Sequence, residues 1–388
     1  MDAKALLKNK SICTIPYHGF ELEPNGNIKN CIISTETLGN IQDNTIQTII
    51  DGKRNVNLKR DMLDERKHKN CSGCHLHEKD RNDLVGISSR QYYLRELVEK
   101  DNLNFYDDPK NFKLSHVDIR WNNTCNQACV YCGPDYSSKW ATELQKFVKS
   151  DKQARQEIKE YIFSNIKDLK NVYLAGGEPL LIKENFEFLQ LLQQENADCH
   201  IRVNTNLSKT DTGIYELLKQ FKNVHWTISV DAMDKEYNYI RYHGDWNIFK
   251  ENLKDIKKLD HKITFNMLHF ILNHKSIFEC VDYFKSEGFN DNSFVIGPVY
   301  KPYHYNCLNL PDNILNDVVA ILLQKKEEVT GYLKNSYENL IQYYTTTEWQ
   351  KNIRSFYYNM GRLDHRREQE SRQIFKTLYE ELDANTLE

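Results

Sequence analysis

Between Lys113 and Pro298, short runs rich in β-branched and aromatic residues alternate with longer stretches in which apolar residues recur every three or four positions. A period of two giving way repeatedly to a period near 3.6 predicts strands followed by helices, the repeat of a parallel sheet built from βα units. The strands are expected at Ser115 to Trp121, Asn171 to Leu174, His200 to Asn204, Val224 to Val230, Lys262 to Leu268 and Ser293 to Ile296. That makes six units where a closed barrel of this type needs eight, so the predicted fold class is α/β, a partial (β/α)6 barrel. In the first strand Val117, Ile119 and Trp121 alternate with His116, Asp118 and Arg120, so one face is apolar and the other can line a polar lumen.

The flanks read differently. Ahead of the barrel the chain is short, broken and cysteine-bearing, with turn signals at Pro24-Asn25-Gly26 and Gly39-Asn40. Beyond Leu310-Pro311 it reads as helices, ending in the charged stretch Arg362 to Glu381. Three parts are expected: a small metal-stapled module over 1–95, the barrel over 110–300 and a helical extension over 301–388. The 388 residues, 40% of them hydrophobic, suffice for a real core. A net charge of -3 gives no field that would draw the molecule onto nucleic acid or an anionic membrane. Met1 to Lys10 holds lysines without an apolar run, and the most apolar segment, Ile314 to Leu323, is broken by Asn316 and Asp317. A cytoplasmic protein is the expectation. Of ten cysteines seven fall into two groups, and in a reducing compartment such grouping means metal before disulfide.

The first group, Cys125-Asn-Gln-Ala-Cys129-Val-Tyr-Cys132, follows directly on the first predicted strand. Soft thiolates in a compact loop select zinc or an iron–sulfur cluster. Three thiolates on a cube of four irons leave one iron open for chemistry, as a catalytic zinc keeps a free position. A zinc site completed by His116 is the plainer alternative, and the surroundings argue against it. Gly176-Gly177-Glu178-Pro179 ends the second strand, where two glycines let backbone approach a ligand and Glu178 can receive an ammonium group. Asn204-Thr205-Asn206 ends the third strand, and Ser229-Val-Asp231 the fourth. Polar groups therefore recur at successive C-terminal strand ends, where β/α barrels build their sites.

From about Leu114 to Pro298 these motifs resemble the radical S-adenosylmethionine (SAM) superfamily. The resemblance implies a 4Fe-4S cluster on Cys125, Cys129 and Cys132 that chelates SAM at its open iron and cleaves it to a 5'-deoxyadenosyl radical. It further implies that Tyr131 packs on the adenine and that Gly176, Gly177, Glu178 and Pro179 bind the methionine amino group. Asn204, Ser229 and Asp231 match positions that hold the ribose. Tyr237-Asn-Tyr-Ile-Arg241-Tyr-His-Gly244 is similar to the stretch whose arginine can pair with the methionine carboxylate, although a solvated helix charge is an equal reading for Arg241.

The second group is Cys13, Gly26 and Cys31, then after a long gap Cys71-Ser-Gly-Cys74. Four thiolates close a site, and the spacing alone suits a zinc ribbon or a fully ligated 4Fe-4S cluster. The pattern C-x12-G-x4-C, gap, C-x2-C resembles the twitch module, the shortened relative of the SPASM domain, which holds an auxiliary cluster in radical SAM oxidoreductases. The module usually follows the barrel; here it precedes it. The resemblance implies two 4Fe-4S clusters with SAM, an electron donor such as flavodoxin or ferredoxin, and a substrate among peptide or protein side chains, sugars and aminocyclitols. The opposing class is a non-catalytic zinc-binding module recognising protein or nucleic acid, for which the charged run Lys53 to Lys69 would speak. It leaves Gly176 to Pro179 unexplained. That run, with Ser88-Ser89-Arg90, is read as a wet helix face before an anion site. Cys199, Cys280 and Cys307 have no neighbours at ligand spacing and read as core. Tyr303, His304 and Tyr305 follow the sixth strand and are the weakest candidates for lining a substrate site.

Overall fold

The computed structural model describes residues 9–78, 88–98, 103–148 and 151–385, so most of the Met1 to Lys10 segment lies outside the described residues. The chain forms two compact units, Met1–Thr124 with Phe147–Val203 and Thr212–Val224, and Cys125–Lys146 with Asn204–Asp211 and His225–Glu388. Among the described residues no helix is long and apolar enough to cross a membrane.

In the first unit β1 (Gly19–Leu22), β2 (Asn27–Lys29) and β3 (Gly39–Asn40) form an antiparallel meander. Barrel strands β4 (His116–Ile119) and β5 (Asn171–Leu174) follow, then β6 (His200–Thr205), whose first residues belong to this unit. The α/β class holds, with β4, β5 and β6 parallel and in register, His116 beside Asn171 and Asn171 beside His200. One pairing lies outside the expected pattern: β1 runs parallel to β4, Gly19 opposite His116 and Leu22 opposite Ile119, so the cysteine-bearing segment adds its own strand to the barrel sheet. Val117 and Ile119 are wholly buried, each worth roughly 2 kcal/mol of apolar burial. The helix Lys152–Ser164 begins where the Asp151 carboxylate accepts from the amides of Gln153 and Ala154, and it buries Ala154, Ile158 and Ile162. A separate cluster of Ile12, Tyr17, Leu58, Met62, Leu94 and Tyr106 forms the core under the N-terminal segment.

The polar face of β4 carries charges that are spent on one another. Arg120 forms ion pairs with Glu21 of β1 and, at 2.9 Å, with Asp118, and all three are at most 5% exposed. Burial lifts the Asp118 carboxyl to about 7 against the pull of Arg120.

The second unit holds β7 (Val224–Ser229) from its second residue onward, with β8 (Lys262–His269) and β9 (Phe294–Pro298), parallel with Ser229 beside Asn266 and Leu268 beside Gly297. Trp246, Phe249, Phe265 and Phe284 interlock between these strands and the helices Trp246–Lys257 and Ser276–Ser286. The helices Asp312–Lys325, Gly331–Thr346, Ile353–Arg367 and Lys376–Ala384 fill the remainder, as the period of the last segment predicts.

Gly19 is extended, so its backbone suits any residue, but an added Cβ would stand 2.9 Å from His116 Cβ and strike the His116 carbonyl. Gly19→Val should therefore cost about 2 kcal/mol by overpacking the β1–β4 junction. Thermal unfolding of iron-free protein reads this, and a midpoint equal to the wild type would show that β1 is not held where the pairing puts it.

Candidate functional site

Residues 125–132 form an irregular loop whose peptide groups are tied down almost one by one. The Ala128 amide donates to the Tyr242 carbonyl (2.9 Å) and the Val130 amide to the Ile240 carbonyl (2.8 Å). The Trp140 indole N–H donates to the Cys129 carbonyl (2.7 Å), the Ser137 hydroxyl to the Gln127 carbonyl (2.6 Å) and the Ser138 hydroxyl to the Cys125 carbonyl (3.0 Å). Ser137 also caps the following helix, Ser138–Leu144, by accepting from the Trp140 amide. Satisfied from behind, the loop leaves Cys125, Cys129 and Cys132 only partly covered. Burial raises the Cys129 thiol against the pull of Arg241, and burial followed by the charge of Cys129 pushes Cys132 up to about 12. A metal must therefore displace protons to bind. Asn206 and Asn126 close the loop's other flank, with Asn206 Nδ2 3.1 Å from Asn126 Oδ1.

Arg241 is not a solvated helix charge. It is 3% exposed and donates to Asp231 Oδ2 (2.7 Å) and to the Tyr131 hydroxyl (2.8 Å), while Nη1 lies 4.0 Å from Cys129 Sγ. The Tyr131 hydroxyl donates to the same Asp231 oxygen at 2.7 Å, and the Leu268 amide donates to Asp231 Oδ1. Burial alone would discharge Arg241, but Asp231 and then Tyr131 raise its pKa well above the usual value. Both Asp231 oxygens are thus engaged by the chain itself. Asn204 and Ser229 are only partly buried and meet at 3.5 Å.

Gly176 adopts φ +112, a backbone that side chains rarely tolerate. The approach that Gly177 permits is to the chain's own backbone: a Cβ there would lie 2.5 Å from the Thr124 carbonyl carbon, and the Glu178 amide donates to the Thr124 oxygen at 2.7 Å. Thr124 is the residue before Cys125. Glu178 is 1% exposed and its carboxylate accepts from the Leu180 amide, while the Pro179 carbonyl accepts from Asn185 Nδ2.

The second cysteine group also comes together. Cys13, Cys31, Cys71 and Cys74 line one cavity with Arg90 and Tyr93. Burial, then the charges of Cys71, Cys31 and Cys74, lifts the Cys13 thiol well above its usual range, and burial pushes Cys31 and Cys71 up to about 12. Backbone amides of Ile33 and Ser34 aim at Cys31, and those of Arg90 and Ser89 at Cys74. Such amide donors stabilise thiolate ligands. Among the described residues no three His, Cys, Asp or Glu side chains converge as a single metal ion requires.

Arg90 is 6% exposed, is paired with Glu78 at 2.7 Å and donates to the Ile12 carbonyl at 3.0 Å, so its charge is not free for an anion. Burial would raise the Glu78 carboxyl, but His75 at 3.9 Å and hydrogen bonds from Arg90 and Ser88 bring it to about 2. Lys59, inside the run read as a wet face, is fully buried; it donates to the Asn111 carbonyl at 2.8 Å and lies over the Tyr17 ring. Cys199, Cys280 and Cys307 are core, at 2%, 0% and 1% exposure. Of the aromatic trio, Tyr305 is buried beside Phe270, whereas Tyr303 is 58% exposed beside Trp349. Sequence reasoning assigned no role to Trp140 or Tyr242, and it read Arg90 as part of a wet face, whereas its charge is spent on Glu78.

Residues 119–284 match the model of the radical SAM superfamily, and residues 13–75 match that of an iron–sulfur cluster-binding domain, in the order the cysteine spacing predicts. A GTP 3',8-cyclase of Aliarcobacter butzleri is 24% identical over 183 residues, 46% of this chain and 54% of that protein. A 7-carboxy-7-deazaguanine synthase of Clostridium acetobutylicum is 31% identical over 154 residues, 37% of this chain and 64% of that one. The sporulation killing factor maturation protein SkfB of Bacillus subtilis is 28% identical over 141 residues, 36% and 32% of the two chains. The chain thus spans about half the length of the curated relatives it matches first. Among solved structures, native anSMEcpe with bound AdoMet has 18% identity and a TM-score of 0.42 over 55% of this chain and 60% of that one. Streptococcus suis SuiB bound to precursor peptide SuiA has 14% identity and a TM-score of 0.40 over 81% and 70%.

Because Gly177 abuts the Thr124 carbonyl, Gly177→Val should displace the start of the cysteine loop. Iron on the loop and affinity for SAM are expected to fall together. A variant that loads iron and binds SAM as the wild type does would show that this contact does not constrain the loop.

Proposed function

We propose that this chain, an enzyme of the radical SAM type with an iron–sulfur cluster-binding domain ahead of its barrel, oxidises a peptide or protein side chain, or a sugar or aminocyclitol, with one 4Fe-4S cluster for SAM and a second as electron acceptor. The observation that carries the first site is the loop at 125–132, held by its carbonyls and amides from behind while its three thiols stay partly open. When bound there, a reduced cluster supplies the electron that splits SAM into methionine and the 5'-deoxyadenosyl radical, which takes hydrogen from substrate. Cys125, Cys129 and Cys132 are the ligands, and a single-electron protein such as flavodoxin or ferredoxin is the proposed donor.

The remaining roles belong to side chains of this chain. Glu178 and the backbone of Gly176 to Pro179 are proposed to receive the methionine amino group, and Asn204 with Ser229 the ribose, since both residues are only partly buried. Tyr131 offers its ring to the adenine, its hydroxyl fixed by Asp231 and Arg241. With both oxygens occupied, Asp231 acts by orienting Tyr131 and Arg241, and Arg241 places positive charge beside Cys129. Cys13, Cys31, Cys71 and Cys74 are proposed to hold the auxiliary cluster, supported by the shared cavity and its inward amides. Such a closed site suits electron transfer, which a substrate radical needs to become a double bond, ketone or cross-link. The similarity to SkfB, a maturation protein by name, supports keeping a peptide or protein side chain among these substrates. The family matches set aside a non-catalytic zinc module.

Cys125→Ala, Cys129→Ala and Cys132→Ala should each abolish reductant-dependent 5'-deoxyadenosine while leaving circular dichroism unchanged, because a scaffold carries its loops more than it rests on them. Wild-type release from any of the three would refute the assignment. Reconstituted wild type should contain about eight irons, and joint replacement of Cys71 and Cys74 by alanine about four, by the stoichiometry of two cubes. The double variant should still cleave SAM and fail to finish the oxidation. About one zinc and about four irons in the wild type would instead identify a structural ribbon.

A further inference from the structure

We propose that Arg367, at the end of the C-terminal helix Ile353–Arg367, is a positioning residue that clamps the backbone of the Cys125–Cys132 loop. It lies outside both stretches matched by family models. Its side chain is 1% exposed, and its guanidinium is sandwiched between two rings, with Cζ 4.4 Å from the Trp140 centroid and 4.3 Å from the Tyr242 centroid. Along its edge Nε and Nη2 reach the Glu143 carboxylate at 3.0 to 3.3 Å.

Those three partners belong to the two pieces that grip the loop. Trp140 and Glu143 are on the helix Ser138–Leu144, and the Trp140 indole ends on the Cys129 carbonyl. Tyr242 belongs to the turn after the helix Asp234–Ile240, and its carbonyl takes the Ala128 amide. An indole N–H can point at a fixed carbonyl from one ring orientation only, and stacking on the guanidinium fixes that orientation. The same flat cation sets the spacing between Trp140 and Tyr242, and with it the distance between the groups holding Ala128 and Cys129. A guanidinium does this where an ammonium does not, since it offers two faces to the rings and a fork to the carboxylate. Replacing both members of such a buried pair by apolar side chains is often tolerated, whereas removing the arginine alone leaves the Glu143 carboxylate without its main partner. The helical extension thereby gains a role in the site.

The test is hydrogen–deuterium exchange on the iron-free full chain. Arg367→Met, which keeps the volume, should speed exchange of the Ala128 and Val130 amides at least tenfold and leave exchange in β8 near wild type, with a lowered thermal midpoint from the Glu143 charge left behind. Arg367→Lys should match the methionine variant, and the isosteric Glu143→Gln should fall between. After reconstitution, the reduced SAM cluster of Arg367→Met should show altered electron paramagnetic resonance g values, with the iron on the N-terminal cysteines unchanged. Wild-type exchange at 128 and 130 in Arg367→Met, or in Arg367→Lys alone, would overturn the clamp, as would acceleration spread evenly over the whole unit. The importance of the clamp for chemistry rests on the proposed role of the triad. Exchange in iron-free protein tests the clamp apart from that role, whereas the cysteine-to-alanine variants test the role alone.

Discussion

A loop of eight residues without regular secondary structure has to satisfy its peptide groups somewhere, and leaving a buried one unpaired costs on the order of 1–3 kcal/mol. In the Cys125–Cys132 loop the solution is to borrow partners: carbonyls from the 240–242 turn, an indole from Trp140, hydroxyls from Ser137 and Ser138. The neighbours that hold the loop follow from this need. The helix after the loop must begin with serines, the turn after Ile240 must present two carbonyls, and Trp140 must be held edge-on. The thiols are left only partly covered.

Charge is handled by the same economy. Arg241 with Asp231, Arg367 with Glu143, Arg90 with Glu78 and Arg120 with Glu21 and Asp118 are all buried pairs or triads. Buried pairs of this sort add little net stability, because desolvation consumes most of the attraction. What they add is direction: a fork on a carboxylate has one good geometry. Three of the four arginines stand beside a cysteine group or its loop, so direction is imposed mostly around the cysteines.

The barrel strands were legible because β-branched runs with alternating polarity are local signals, and β4 to β9 begin and end within about two residues of the expected bounds. Both cysteine groups were legible for the same reason, as spacings along the chain. β1 was not: Gly-Phe-Glu-Leu is four residues with a glycine and a carboxylate, and what makes it a strand is its distant partner β4. Arg241 was divided between surface and site because helical position says nothing about which tertiary neighbour lies over it. Gly177 was singled out for approach to a ligand, and the structure sets it against the Thr124 carbonyl, a neighbour that only the fold brings there. Arg367 offers no local signal at all, since its rings come from Trp140 and Tyr242, more than a hundred positions upstream.

The parallel pairing of β1 with β4 also has a temporal side. Glu21 and Arg120, which meet across those strands, are 99 positions apart. All four N-terminal cysteines therefore leave the ribosome before the strand that completes their sheet exists. Until β4 arrives, β1 is covered on one edge by β2 and open on the other, the kind of edge that recruits foreign strands. That edge stays open until β4, which ends at Ile119, has emerged far enough to pair with it.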